Sequence, residues 1–269
     1  MPVVDLHTHS NFSDGTSSPE EVVHSALKSG VQLFSLTDHD TTDGVAIAQA
    51  LATQHNLRFL TGVEISTCEH DQLHFTGYNI DIRNPDFQTF LAQNRQARTG
   101  RIRQVVTQLQ QAGLDITFEE VAARASNTIS RAHVADLLKA KGFVRSRQDA
   151  FRKYLVAGKP GYVDPIGVTA VQAIAWIKKV GGIAVIAHPG IVSNHWNFPL
   201  WKEAGLDGIE VFYPAHSFGT RQHLLALARK YGLFASAGTD YHGPKGGRAA
   251  HPGMQIPLDQ YNKLLSLFP

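Results

Sequence analysis

Val3-Val4-Asp5-Leu6-His7-Thr8-His9 is a short apolar run that ends in two histidines one residue apart. Side chains on a strand repeat every second residue, so His7 and His9 face the same way where the strand gives out. Two imidazoles on one face can hold one metal ion through neutral ring nitrogens. Taken alone, the pair also suits a polar strand end or a tag fragment. Recurrence decides the matter, because later apolar runs end in histidine or carboxylate too.

Working outward, β-rich apolar runs lie at 3–6, 33–37, 59–65, 73–78, 183–187, 208–212 and 233–237. Several are apolar at consecutive positions, the pattern of strands buried on both faces of a parallel sheet. Helix-period stretches at 44–55, 169–180 and 217–231 fall between them, and Ser18-Pro19-Glu20-Glu21 opens another that Gly30 closes. This β-α alternation predicts an α/β fold, a parallel sheet with right-handed crossovers closing into a TIM-like barrel. The alternation stops between residues 87 and 164, which are helix-period throughout, with breaks expected at Gly100, Gly113, Gly142 and Gly158. So long a block exceeds an ordinary barrel connection. It predicts an inserted small helical lid subdomain over 87–164, with 1–86 and 165–269 forming the barrel.

Composition bounds the function. In 269 residues, 43% hydrophobic and 18% charged content is that of a globular chain, and a net charge of +2 permits an anionic substrate without marking a long nucleic-acid track. Cys68 is the single cysteine, which excludes an intrachain disulfide and a cysteine-based zinc cluster and suits the cytoplasm. No secretory signal is evident at the N-terminus, and no apolar run reaches the roughly 18–20 residues that span a bilayer. No protein partner is indicated.

Barrel enzymes carry their chemistry at the C-terminal ends of strands. That rule collects His7, His9 and Asp14 after the first strand, Asp38 and His39 after the second, Glu64 on the third and His74 on the fourth. It adds His188 after the fifth, Glu210 and His216 after the sixth, and Asp240 and His242 after the seventh. Nitrogen and oxygen donors without sulfur suit manganese, iron or zinc. A carboxylate such as Glu64 can bridge two cations, and ions about 3.5–4 Å apart can activate water and bind phosphate oxygens together. Asp38 is expected to orient a neighbouring histidine rather than bind metal itself.

The motifs Asp5-Leu6-His7-Thr8-His9-Ser10, Leu36-Thr37-Asp38-His39-Asp40, Gly62-Val63-Glu64-Ile65-Ser66, Ala187-His188-Pro189-Gly190 and Thr239-Asp240-Tyr241-His242 occur in an order that resembles the PHP (polymerase and histidinol phosphatase) family. The resemblance implies a distorted (β/α)7 barrel holding two or three divalent metal ions, manganese first, with iron or zinc as alternatives. Carried over motif by motif, it implies one ion on His7, His9, Glu64 and Asp240, a second on Glu64, His74 and His188, and a third on Asp14, His39 and His242. Asp14 stands where some members have histidine. The segment Ser130-Arg131-Ala132-His133 opens a helix in the insertion, and a guanidinium beside a helix N-terminus suits phosphate. A branch of the family carries a similar Arg-x-His segment, so the resemblance implies that Arg131 and His133 grip substrate phosphate. His216 is a candidate second phosphate donor, or the acid that protonates the leaving oxygen.

The reading is a metal-dependent phosphoesterase that removes the 3′-phosphate of small nucleoside 3′,5′-bisphosphates by metal-activated hydroxide attack. A 5′→3′ exonuclease on short oligonucleotides would use the same ions. Histidinol phosphate hydrolysis leaves the Arg-x-His segment unexplained. An amidohydrolase-type deaminase would normally lack both the Asp-His pair after the second strand and the glutamate after the third. A metal-dead regulatory domain would not keep every ligand position filled.

Overall fold

Eight short strands, seven of them with the His/Asp/Glu residues collected above at or near an end, define the frame of a computed structural model that describes residues 1–268. They are β1 (Val3–Asp5), β2 (Leu33–Leu36), β3 (Arg58–Ser66), β4 (His74–Tyr78), β5 (Ile183–Ile186), β6 (Gly208–Phe212), β7 (Phe234–Ala237) and β8 (Met254–Gln255). The sheet order is β7-β6-β5-β4-β3-β2-β1-β8. Closure comes where the ends of the first and seventh strands meet: Leu6 N donates to Ala237 O at 2.9 Å and Asp240 N to His7 O at 2.8 Å. The result is a nearly closed, TIM-like α/β barrel.

The expectation of an all-parallel sheet is corrected at β4, which runs antiparallel to both β3 and β5. Only residues 67–73 join β3 to β4, and a parallel crossover needs a dozen or more. The reversal matters for function. His74 opens β4 instead of closing it, and so still reaches the same barrel mouth as the C-terminal ends of its neighbours. The added strand β8, unforeseen because it is two residues long, pairs antiparallel with β1.

Helices α1 (Pro19–Lys28) and α2 (Val45–Gln54) follow β1 and β2, and Ser18 and Glu21 form a capping box at the start of α1. After β4 the chain enters α3 (Pro85–Gln111), 27 residues long, or about 40 Å at the α-helical rise. A break at Gly100 was expected; α3 runs straight through it. Contacts made by its neighbours explain this, since Arg95, Arg98 and Arg101 all bond to groups on or beside the barrel and outweigh a glycine cost of about 1 kcal/mol. Phe87, Phe90 and Leu91 of α3 pack in the barrel core. Further on, Ile102, Val105, Val106 and Leu109 enter a second core with Val134, Leu137, Leu138 and Leu155. That core is shared with α4 (Phe118–Ala122), α5 (Arg131–Ala140), α6 (Arg147–Ala150) and a π-helical turn over Phe151–Leu155. α7 (Ala170–Lys179) returns the chain to β5; α8 (Phe198–Glu203), α9 (Phe218–Tyr231) and α10 (Leu258–Leu267) complete the outer layer. Among the described residues, no helix is long and apolar enough to cross a membrane.

Candidate metal centre

The period-two argument for His7 and His9 has a direct geometric outcome. Both are fully buried, their ring centroids lie 5.2 Å apart, and their Nε2 atoms stand 3.2 Å and 3.1 Å from Glu64 Oε2. His39 Nδ1 lies 3.1 Å from the same oxygen. The other oxygen, Oε1, faces His74 Nδ1 at 3.0 Å and His188 Nε2 at 3.1 Å. Glu64 therefore presents one oxygen to each of two histidine groups, the disposition of a bridging carboxylate.

Asp240 Oδ1 lies 3.5 Å and 3.2 Å from the Nε2 atoms of His7 and His9, completing a four-donor set with Glu64. Asp14 Oδ1 lies 3.1 Å from His242 Nε2 and 4.0 Å from His39 Nε2, and His9 joins that group. A further group brings together His39, Glu64 and His74. Two donors about 2.1 Å from one ion at a right angle sit about 3.0 Å apart, the spacing seen here. Among the described residues, His7 Nε2, His9 Nε2, Asp14 Oδ1, His39 Nδ1 and Glu64 Oε2 are buried with no hydrogen-bond partner. Close approach without hydrogen bonds leaves cations as the group that would satisfy these atoms, and the donor set fits them.

Outer contacts aim the rings. Glu210 Oε1 takes His7 Nδ1 at 3.1 Å and Oε2 accepts from the His188 backbone N at 2.6 Å, so Glu210 fixes His7 with Nε2 towards Glu64. Asp38 was expected to orient a histidine directly. Instead it accepts from Ser10 N, Ser10 Oγ and, at 2.5 Å, Ser13 Oγ, and only Ser13 reaches His9 Nδ1, at 3.4 Å. Asp5 anchors the closure by accepting from His7 N, Thr239 N, Thr239 Oγ1 and Gly253 N. Close approach requires Gly238, where a Cβ would fall 2.3 Å from His7 Cβ and 2.5 Å from Glu210 Oε1. Asp40, His188 and Asp240 all hold positive φ at this mouth, a concentration of backbone strain typical of functional sites.

Burial alone would raise the Glu64 carboxyl, but His39, His7 and His74 hold it well below the usual carboxylate range. Burial likewise opposes the charge of His9, yet the Asp240 and Glu64 carboxylates raise its pKa to about 9. His39 moves the other way: desolvation drives it well below the usual imidazole value.

A cavity of about 290 Å³ opens over the cluster, and Asp14, His39, His74 and His242 are among its lining residues. Arg98, Arg101, Arg131, Arg147 and Arg248 also line it, with Arg248 paired to Asp240 of the cluster, and Ile102, Ile129, Phe151 and Ile166 add apolar surface. Arg131 is thus on the cavity, as the helix-start argument expects, and Ser130 Oγ donates to Asp14 Oδ2 at 3.3 Å, tying α5 to the cluster. His133 departs from expectation. Its Nδ1 accepts from Ser130 N at 3.0 Å within a capping box, and it is not among the residues lining the cavity. His216 departs too. Its Nδ1 meets Val211 O at 3.0 Å and its Nε2 accepts from Gly190 N at 3.1 Å, so both nitrogens are occupied by backbone and the ring ties β6 to the loop carrying His188. Arg98, Arg101 and Arg147 belong to the arginine-rich insertion, which was their signal in the sequence; Arg248, after the last motif, carried none.

A family model for the PHP domain matches residues 5–180. The chain is 38% identical over 257 residues to a 3′,5′-nucleoside bisphosphate phosphatase of Chromobacterium violaceum, covering 92% of this chain and 90% of that one. It is 39% identical over 251 residues to the 5′-3′ exoribonuclease Rnm of Escherichia coli, covering 90% and 86%. Among solved structures, a Bifidobacterium adolescentis protein assigned as a metal-dependent phosphoesterase superposes with a TM-score of 0.86 at 31% identity, over 97% of this chain and 95% of that one.

Proposed function

The chain belongs to the PHP domain family, and from that premise and the site geometry we propose that it removes the 3′-phosphate of nucleoside 3′,5′-bisphosphates such as adenosine 3′,5′-bisphosphate. It is a metal-dependent phosphoric ester hydrolase. One observation carries the substrate assignment: a single cavity is lined both by Asp14, His39, His74 and His242 of the cluster and by five arginines. That cavity fits a compact molecule with two anionic groups, one at the ions the cluster would hold and one at the arginines.

Divalent ions bound by His7, His9, Glu64 and Asp240, by Glu64, His74 and His188, and by Asp14, His39 and His242 would supply Lewis acidity and a water of lowered pKa. Manganese is the ion we assign first. The protein's own residues do the rest. Glu210 sets the His7 tautomer, Asp38 and Ser13 steady His9, and Ser130 holds Asp14 while starting the helix that carries Arg131. Arg131 takes the phosphate that is not cleaved. The lid helices cover the cavity and limit competition from bulk water. We assign the reaction to the cytoplasm, where Cys68 stays reduced.

The second reading, 5′→3′ exonuclease action on short oligonucleotides, rests on the similarity to the Escherichia coli enzyme and uses the same cavity. Phosphate release with added Mn²⁺ from a panel of esters separates the cases. Adenosine 3′,5′-bisphosphate should exceed histidinol phosphate by at least about 100-fold in kcat/KM, an advantage of about 2.7 kcal/mol. Equal turnover of the two would overturn the nucleotide assignment, and faster trimming of a 5′-phosphorylated tetranucleotide would favour the exonuclease.

A further inference from the structure

Of the five arginines lining the cavity, four pair with carboxylates outside the cluster: Arg98 with Asp40, Arg101 and Arg131 with Asp71, and Arg147 with Asp136. Arg248 differs. Its Nη1 donates to Asp240 Oδ2, while Asp240 Oδ1 faces the Nε2 atoms of His7 and His9. One carboxylate therefore separates this guanidinium from the first donor set of the cluster. A loop that doubles back delivers it. Gly246 lies so near the preceding motif that a Cβ there would fall 2.4 Å from His242 Cβ, and Gly247 follows in the left-handed region at φ 79°.

Asp240 does not need this partner to be aimed. Tyr213, buried just past the end of β6, already donates its hydroxyl to Oδ2 at 3.3 Å. A guanidinium stays charged at any working pH. Beside donors that would hold divalent cations, it adds like charge that the shared Asp240 offsets only in part. An anion lying on those cations would answer the excess. Donors for it remain, because among the described residues no hydrogen bond uses Arg248 Nε or Nη2. The side chain is 31% exposed, and it opens on the same cavity as Asp14, His39 and His242.

We propose that Arg248 is a catalytic residue that grips the phosphate being cleaved. Anchored on Asp240 through Nη1, it turns Nε and Nη2 to the phosphate oxygens that gain charge as the ester bond breaks. The guanidinium keeps its protons throughout; it stabilises charge and transfers nothing. Its loss should therefore appear in kcat more than in KM. This rests on the phosphoesterase reading for the substrate, and it leaves Arg131 with the other phosphate.

The test uses the full-length protein loaded with Mn²⁺. Arg248→Ala is expected to lower kcat for adenosine 3′,5′-bisphosphate about 10²–10³-fold, the loss typical of one donor to transition-state charge. KM should change less than threefold, and metal content by mass spectrometry should not change. Calorimetric titration of inorganic vanadate, a mimic of the transferring phosphoryl group, should show binding weakened at least tenfold. Added guanidinium ion should restore at least a tenfold part of the lost kcat to Arg248→Ala and nothing to the unaltered protein, which bracing of Asp240 alone would not predict. Lys245→Ala, exposed in the same loop and off the cavity, should leave every value unchanged. If Arg248→Ala loses metal, Arg248→Lys decides: it keeps a cation for Asp240 without the fork, and with full metal its kcat should still fall at least tenfold. Full kcat in either variant overturns the proposal, as does vanadate binding that ignores Arg248. Vanadate binding that depends on Arg248, in a protein that releases no phosphate from the bisphosphate, would uphold the residue's role and refute the substrate assignment.

Discussion

Glu64 is the side chain on which the two halves of the cluster meet, because each carboxylate oxygen faces a different set of rings. Glu64→Gln keeps the shape but replaces one oxygen with an N–H donor that repels a cation. Metal content by mass spectrometry should drop by at least one ion per chain, and kcat should fall at least about 10³-fold, some 4 kcal/mol. Glu210→Gln removes no ligand; its expected signature is weaker metal binding by about 10–100-fold with the stoichiometry retained at saturation. The raised His9 pKa of about 9 sets a pH dependence with a definite sign. In the metal-free protein that ring is protonated at pH 7, and its contribution to folding is complete below the unfolded value of about 6.5 and lost as pH rises through the folded one. Metal binding needs the neutral ring, so it should release at least one proton at pH 7, and affinity should climb with pH. Calorimetry in two buffers of different ionisation enthalpy measures that release. The histidines and acids were legible in the sequence because strand periodicity and strand ends place them. The roles of Glu210, Asp38 and His216 were not, since which nitrogen each partner touches is decided by contacts between segments far apart in the chain.

At the scale of elements, β4 shows both what the sequence carries and what it hides. Its apolar run was plain, but its direction had to be inferred from the short hairpin at 67–73, and the β-α alternation elsewhere argued the other way. Helix α3 was legible as helix-period sequence, though its continuity through Gly100 depends on arginine contacts that no local pattern reveals. Arg101 and Arg131 stand 30 residues apart in sequence and meet at Asp71, so their convergence was beyond sequence reading. Two substitutions test how the elements support the site. Gly238→Ala puts a methyl against His7 and Glu210, and should cost about 1–3 kcal/mol of stability and weaken metal binding with it. Leu109→Ala opens a void in the second hydrophobic core, where the expected loss is about 2–5 kcal/mol by denaturant unfolding. Metal stoichiometry should survive the lid change, because α3 beyond Ile102 contributes no donor to the cluster; a chain that lost its metal along with Leu109 would mean the lid core and the barrel mouth are one cooperative unit.

For the whole molecule, the mouth of the barrel concentrates buried charge that the fold alone does not satisfy. Ions that bind the folded chain and not the unfolded one should stabilise it by about 2.7 kcal/mol at a hundred times their Kd. Chelation should therefore lower the melting temperature by several degrees, and Mn²⁺ should restore it. The most direct test is anomalous diffraction at the manganese edge from crystals grown with Mn²⁺. The account predicts at least two peaks, each within coordinating distance of a Glu64 oxygen, one shared with His7, His9 and Asp240 and the other with His74 and His188, and a third between Asp14, His39 and His242. A map from a fully loaded, active crystal with no peak in reach of Glu64 would contradict it.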